Sequence, residues 1–331
     1  YRYATVNNER TAHVDFNLGF KNVASFTSVT YSFFDDLHMG KVKDTDYPNF
    51  GIVKHYADVI DGKDTMIRKN DFTIQNRTGY NQTDILEKLR FKFSKTLYLT
   101  LNTQYSTSTN ISRYDQLSEY DNNKLKWAEW HYGPQERFLT SLSAQLTNKN
   151  KWYSEAEIIL SFQNIDEDRI TRKFGSDTQI IRKEDVNVFG LNADFHKKNE
   201  NQSEWFYGIE MIHNAVESHA FNRNIFTAIS SETSTRYPDG GSSLSSAAAY
   251  LSYKNQFSEK ATYSLGGRYS YSVLTASFID TSFIQLPFSD ITLNNDALTG
   301  NAGFVYHPSE LWKFHVGLST AYRTPNVDDV G

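Results

Sequence analysis

The sequence predicts an all-β fold, an antiparallel transmembrane β-barrel, and three observations carry that prediction. Apolar and polar residues alternate one by one. Leu97, Leu99, Leu101, Thr103 and Tyr105 fall on one side of an extended stretch, and Tyr98, Thr100, Asn102 and Gln104 fall on the other. A repeat of two places successive side chains on opposite faces of a strand. The connections between such stretches alternate between tight and long, the pattern of barrels with short periplasmic turns and long external loops. The composition is wrong for a dry core: 39% of the chain is hydrophobic, yet 15% is aromatic, with 21 Tyr and 23 Phe. A barrel with a wet interior needs an apolar residue at only one position in two.

Twelve strands in six hairpins follow. The first pair covers about 12–20 and 23–34 and turns at Lys21-Asn22; Val14, Phe16, Leu18 and Phe20 oppose His13, Asp15 and Asn17. The second covers about 83–93 and 96–106, turning at Ser94-Lys95. The third covers about 136–147 and 151–163, turning at Asn148-Lys149-Asn150, with Ala156, Ile158, Leu160 and Phe162 against Glu155, Glu157, Ser161 and Gln163. The fourth covers about 185–196 and 204–214; Phe189, Leu191, Ala193 and Phe195 alternate with Gly190, Asn192 and Asp194. The fifth covers about 246–256 and 261–272, turning near Ser258-Glu259-Lys260, with Leu265, Tyr269 and Tyr271 against Ser264, Arg268 and Ser270. The sixth covers about 297–306 and 311–322 and turns at His307-Pro308-Ser309-Glu310.

The long connections, about 35–82, 107–135, 164–184, 215–245 and 273–296, are then external. Loops of that length are rare in compact soluble domains. Tyr306 and Trp312, like Phe93 and Tyr98, flank short turns, where an inner aromatic girdle belongs. Glu155, Glu157, Asp194, Glu210 and Arg268 are expected to face the lumen. With this orientation both chain ends fall on the external side, which implies part of a larger barrel with strands missing at each end.

Other classes are excluded or unsupported. No apolar run reaches about 18 residues, so no transmembrane helix is expected. A net charge of -5 leaves no basic footprint for nucleic acid. The absence of cysteine removes disulfides and thiol chemistry. No enzyme signature stands out. Asp166-Glu167-Asp168 lacks the glycine and spacing of a calcium loop and reads as a solvated loop face. Tyr237-Pro238-Asp239-Gly240-Gly241 is a turn signal without the strand–loop–helix setting of a phosphate cradle.

The stretch Thr320-Ala321-Tyr322-Arg323-Thr324-Pro325-Asn326 resembles the aromatic-Arg-Ala-Pro-Asn motif of TonB-dependent outer-membrane receptors, with Thr324 in place of the usual Ala. Glu9 to Gly19, Ser112 to Asp115, Ala128 to Gln135 and Ala297 to Gly300 are similar to stretches of the large Bacteroidetes-type receptors, including those for haem, haemoglobin and siderophores. The resemblance implies an outer-membrane barrel of about 22 strands, of which residues 1–331 supply about 12 from the centre. It also implies a plug domain outside this chain and energy drawn from TonB. A haem or ferric siderophore ligand, a haemoprotein donor and a surface lipoprotein are the partners it suggests, beside outer-membrane lipid. Cobalamin or a glycan as ligand, and a passive porin, are the alternatives.

The strongest candidate site is the connection 107–135. It gathers Arg113, Tyr114, Asp115, Trp127, Trp130, His131 and Tyr132. Such a set can stack on a flat ring, ligate haem iron through His131 and pair with propionates. The competing expectation is that Trp127 and Trp130 pin the loop to its neighbours. His55, His213 and His219 are further candidates for the same vestibule. Arg323 is expected either to meet an anionic ligand or plug, or to hold a loop base through carboxylates.

Overall fold

A computed structural model describes residues 1–148, 152–280, 282–283 and 287–329. All twelve expected strands are present. They are β1 Glu9–Gly19, β2 Val23–Phe34, β3 Tyr80–Lys92, β4 Leu97–Ser108, β5 Glu136–Thr147, β6 Glu155–Lys173, β7 Thr178–Lys198, β8 Ser203–Asn224, β9 Ser242–Ser258, β10 Ala261–Ser277, β11 Asp290–Ser309 and β12 Trp312–Ser319. They pair in chain order without a crossover, and each is antiparallel to the next. Lys149 and Asn150 of the expected third turn lie outside the described residues.

Alternation decides which face meets which solvent. Leu89, Leu101, Leu142, Leu160, Leu191 and Met211 are successive register partners across β3 to β8. This apolar row is the exposed one: Leu160 is 52% and Met211 48% accessible. Burial of such a side chain is worth about 1.5–3 kcal/mol, so a sheet that leaves the whole row open in water is unstable without lipid against it. The interior offers no substitute. Among the described residues eleven hydrophobic side chains are buried, and seven of these are alanine.

Aromatic rings mark the edges of the apolar band. Near the short turns, Tyr153, Phe195 and Tyr207 form one contact chain. Trp205, Tyr253, Tyr263, Phe257 and Phe304 form a second. Tyr306, Trp312 and Phe93 lie at this level as expected, on exposed positions. Tyr98 does not. It points to the opposite face, where the Arg90 guanidinium lies 4.8 Å from its ring centre. At the other edge Phe162 packs between Phe138 and Phe189. The ten residues from Tyr153 to Phe162 climb about 23 Å at a rise of about 3.3 Å per step and a tilt of about 40°.

Beyond that level the strands continue, and here the sequence reading falls short. β6, β7 and β8 run well past the limits expected from alternation, so Asp166-Glu167-Asp168 lies within a strand and not in a loop. The outward face simply changes chemistry. Asn164 donates to Asp185 at 2.9 Å and to Asn187 at 3.2 Å, and Lys183 pairs with Asp168 at 3.3 Å. Without lipid to meet, the outward residues are polar and the period-two signal vanishes.

The opposite face is cross-linked by polar side chains. Arg90 donates to Gln145, and Gln145 to Glu157. Tyr250 donates to Asp194, and Arg268 donates to Glu210 at 2.8 Å. Glu157, Asp194, Glu210 and Arg268 therefore share the face expected for the lumen, and Glu155, two residues before Glu157 on β6, alternates onto it as well.

Candidate functional site

The connection between β4 and β5 folds as a compact flap on the long-loop end of the ladder. Its last segment, Trp127–Tyr132, is a strand that pairs with the extension of β6: Trp130 opposes Thr171, His131 opposes Ile170, and Tyr132 opposes Arg169. Ile111–Ser112 pairs on its other side. A short hairpin turns at Asn122 and Asn123, both at positive φ (48° and 67°), the conformation a two-residue hairpin turn demands.

Trp130 is the anchor of this flap. It is 8% accessible, and its ring lies between two guanidiniums, Arg113 at 4.7 Å and Arg169 at 5.5 Å. Cation–π contacts to partly exposed guanidiniums contribute about 0.5–1 kcal/mol each. Tyr132 packs edge-on against Trp130 at 5.4 Å. Arg113 also grips Asp115, which holds that carboxyl down at about 2. Leu125 and Ala128 are buried with Ala57 from the preceding connection, and Met66 and Phe174 pack beside them. Trp130 thus serves packing in this state; it offers no free face for a planar ligand.

Polar contacts lock this flap to its neighbours. Arg172, 3% accessible at its side chain, pairs with Asp64 at 2.8 Å and with Glu129 at 2.7 Å. Asp64 comes from the β2–β3 connection and also accepts from the Gly175 amide at 2.6 Å. Gln179 donates to Glu129 at 2.6 Å. The buried Lys69 donates to the Tyr114 hydroxyl at 3.0 Å and to the Ile74 carbonyl at 2.9 Å. Burial pushes the Tyr114 hydroxyl up to about 12, and burial lowers Lys69. Three successive external connections are thereby interlocked.

The structure brings Arg113, Asp115, Trp130 and Tyr132 together, with His131 on the same strand. Nδ1 of His131 is buried without a hydrogen-bond partner, and burial lowers its pKa, with Glu129 opposing, so the neutral ring is favoured. Neutral imidazole is the form that binds metal. Trp127 is half-buried beside Lys126, its indole N–H unpaired. His55 accepts from or donates to the Tyr120 hydroxyl at 3.0 Å, inside the loop interlock. His213 is excluded from any vestibule: it lies on the exposed face of Met211, beside Ser245. His219 borders a cavity on the far side of β8. Arg323 is remote in strand order from the 107–135 flap; it follows β12 and pairs with Asp329 of its own segment at 2.8 Å, with its side chain exposed.

Asp64, Lys69, Glu129, Arg169 and Arg172 escaped the sequence reading. Each is an ordinary charged residue in a polar stretch, and its burial comes from loops separated by up to 111 residues meeting at one place. No local pattern carries that information. Among the described residues no group of three or more His, Asp or Glu side chains is placed to hold a metal.

The comparisons agree with the geometry. The chain is similar in fold to the copper transporter OprC, with a TM-score of 0.71 at 10% identity over 97% of this chain and 44% of that one. It is similar to the FrpB iron transporter from Neisseria meningitidis, with a TM-score of 0.66 at 12% identity over 98% and 45%. A third similar structure is a double mutant of the Serratia marcescens hemophore receptor HasR in complex with its hemophore HasA and heme, at 0.61 and 12% over 96% and 45%. The chain spans less than half the length of these structures. No curated protein sequence matches it. Residues 24–331 match the family described as TonB dependent receptor-like, beta-barrel, and the chain belongs to that family.

Proposed function

We propose that residues 1–331 form the central barrel portion of an outer-membrane active-transport receptor of a Gram-negative bacterium. The receptor takes up an iron-bearing ligand, haem or a ferric siderophore, and draws energy from TonB through a plug domain beyond this stretch. The observation that carries the reading is the inverted sheet, apolar outside and polar inside, capped by interlocked external loops in a chain of this family. Two of the similar structures are described as an iron transporter and as a receptor holding heme, which supports iron over cobalamin or a glycan. The cross-linked polar face supports a plugged barrel over a passive porin, since each paired charge is one fewer for selecting ions.

In this reading the ligand enters from the long-loop end, and the flap of Trp130, His131 and Tyr132 is one wall of the vestibule. His131 supplies a neutral imidazole to the iron once the flap loosens, and Arg113 exchanges Asp115 for a ligand carboxylate. No bond in the ligand need be broken. The test is uptake by the full-length protein. A deletion strain is expected to grow poorly under iron limitation and to be rescued by the wild-type gene. Purified receptor that binds neither haem nor a ferric siderophore, with no growth defect, overturns the proposal. A Soret titration unchanged by His131→Ala removes His131 alone.

A further inference from the structure

The lipid-facing side of β2 to β5 carries a charge. Thr27, Glu87, Thr103 and Thr140 are successive register partners on these four strands. All four have the outward parity. Two residues to either side, Leu89 and Ile85 flank Glu87 on β3, Leu101 and Tyr105 flank Thr103 on β4, and Leu142 and Phe138 flank Thr140 on β5. These flanks are open to lipid: Ile85 is 42% and Leu142 43% accessible. Glu87 stands seven residues before Ser94 of the short turn, about 18 Å up a strand tilted by about 40°. That height lies inside an apolar band about 25 Å tall.

Within one chain this carboxylate is half paired. Ser25 donates to one oxygen at 2.7 Å and Thr27 to the other at 2.5 Å. A carboxylate offers about four acceptor sites, so about two stay open. Beside it the Thr103 and Thr140 hydroxyls meet at 3.3 Å. Of their two protons one closes that bond, and the other is left to donate. Open acceptors and an open donor thus stand side by side on a surface that otherwise meets hydrocarbon. An ionisable group at that depth is costly, and proteins keep such groups where a partner meets them.

The partner is constrained by position. A plug or a transported ligand lies on the other side of the sheet, and lipid headgroups stay at the edges of the band. What reaches Glu87 is another membrane-embedded protein. Copies of one chain all insert in the same direction, so a two-fold axis that relates them runs along the membrane normal and conserves depth. Glu87, seven residues before Ser94, and Thr103, eight after Lys95, stand at nearly one depth on neighbouring strands. We propose that this face is the contact between two copies of the chain, with the axis passing between β3 and β4. Glu87 of each copy then accepts from Thr103 of the other, and the apolar flanks pack around the pair. The proposal rests on the lipid-facing sheet alone and is independent of the ligand.

The experiment takes the full-length protein from its native membrane in polymer-bounded lipid particles and measures their mass one by one. Two barrels per particle are expected. Two copies with tags of different size are also co-expressed in a cysteine-free background, one carrying Glu87→Cys and the other Thr103→Cys. Oxidation is expected to join the two tags, and a control copy carrying Leu265→Cys on β10 should stay separate. Energy transfer between labelled copies diluted in vesicles gives the dimer affinity. Glu87→Leu and Thr103→Val are each expected to weaken it about tenfold, because each removes two symmetric hydrogen bonds in the membrane. The double variant should be no weaker than either single one, since both remove the same contact. Thr103→Val keeps the shape of the side chain, and heat-shifted gel mobility checks that every variant folds. Single barrels at every density, or a cross-link from position 87 only to a protein of another kind, overturn the proposal. So do dimers unchanged by both variants, and so does an additive loss in the double variant, which marks two separate packing effects.

Discussion

Gly208 is a position where a missing side chain does structural work. Asp194, Gly208 and Tyr250 form one register row across β7, β8 and β9. The Tyr250 ring lies across the glycine so that its hydroxyl donates to Asp194. A Cβ at position 208 would collide with the Ala193 carbonyl oxygen and meet the Tyr250 ring at 2.8 Å. Gly208→Ala is therefore expected to displace Tyr250 and cost about 1–3 kcal/mol. Denaturant unfolding of the membrane-inserted protein measures it, and the effect should be strongly non-additive with Tyr250→Phe. Arg172→Met strands Asp64 in a buried site and should weaken loop docking by about 3–5 kcal/mol; limited proteolysis of the β2–β3 connection should accelerate while the barrel stays heat-modifiable. His131 sets a pH dependence. Its folded pKa lies below the ordinary 6.5, so the undocked flap binds more protons as pH falls through that value. Docking is at full strength above it and weakens below it. Hydrogen exchange over 127–132, corrected for intrinsic rate, should speed up at about pH 5.5 relative to about pH 7.5.

Each strand is legible in the sequence as far as it touches lipid. Along Ala156, Ile158, Leu160 and Phe162 the outward residues are apolar and the inward ones polar, so alternation is visible and the strand is found. From Asn164 upward the outward residues turn polar and the inward face carries Ile165, so the strand goes on while the apolar-out, polar-in signal ends. The same limit explains why the flap's packing was out of reach: Trp130 is conspicuous in the sequence, but the two guanidiniums that enclose it come from Arg113 and Arg169, on different elements. Tyr98 fell to another limit, because nearness to a turn suggests a girdle while parity decides the face. The change of chemistry along β6 is testable. Leu160→Arg is expected to cost about 2–4 kcal/mol in bilayer folding, and Asn164→Arg only about 0–1 kcal/mol, following the depth dependence of charge on a lipid face.

For the whole molecule, one inversion organises everything else. The apolar row across β3 to β8 needs lipid, the polar face needs a wet or plugged lumen, and the long connections, freed from the band, can interlock above it. The most direct measurement places single spin labels at residues 156 to 163 of the full-length protein in lipid and compares collisions with oxygen and with a water-soluble nickel chelate. The chain's lack of cysteine makes single-site labelling clean within this stretch. Oxygen contact should peak at positions 156, 158, 160 and 162, with nickel contact low there. Equal nickel access at those even positions, or no alternation at all, would contradict a lipid-facing sheet.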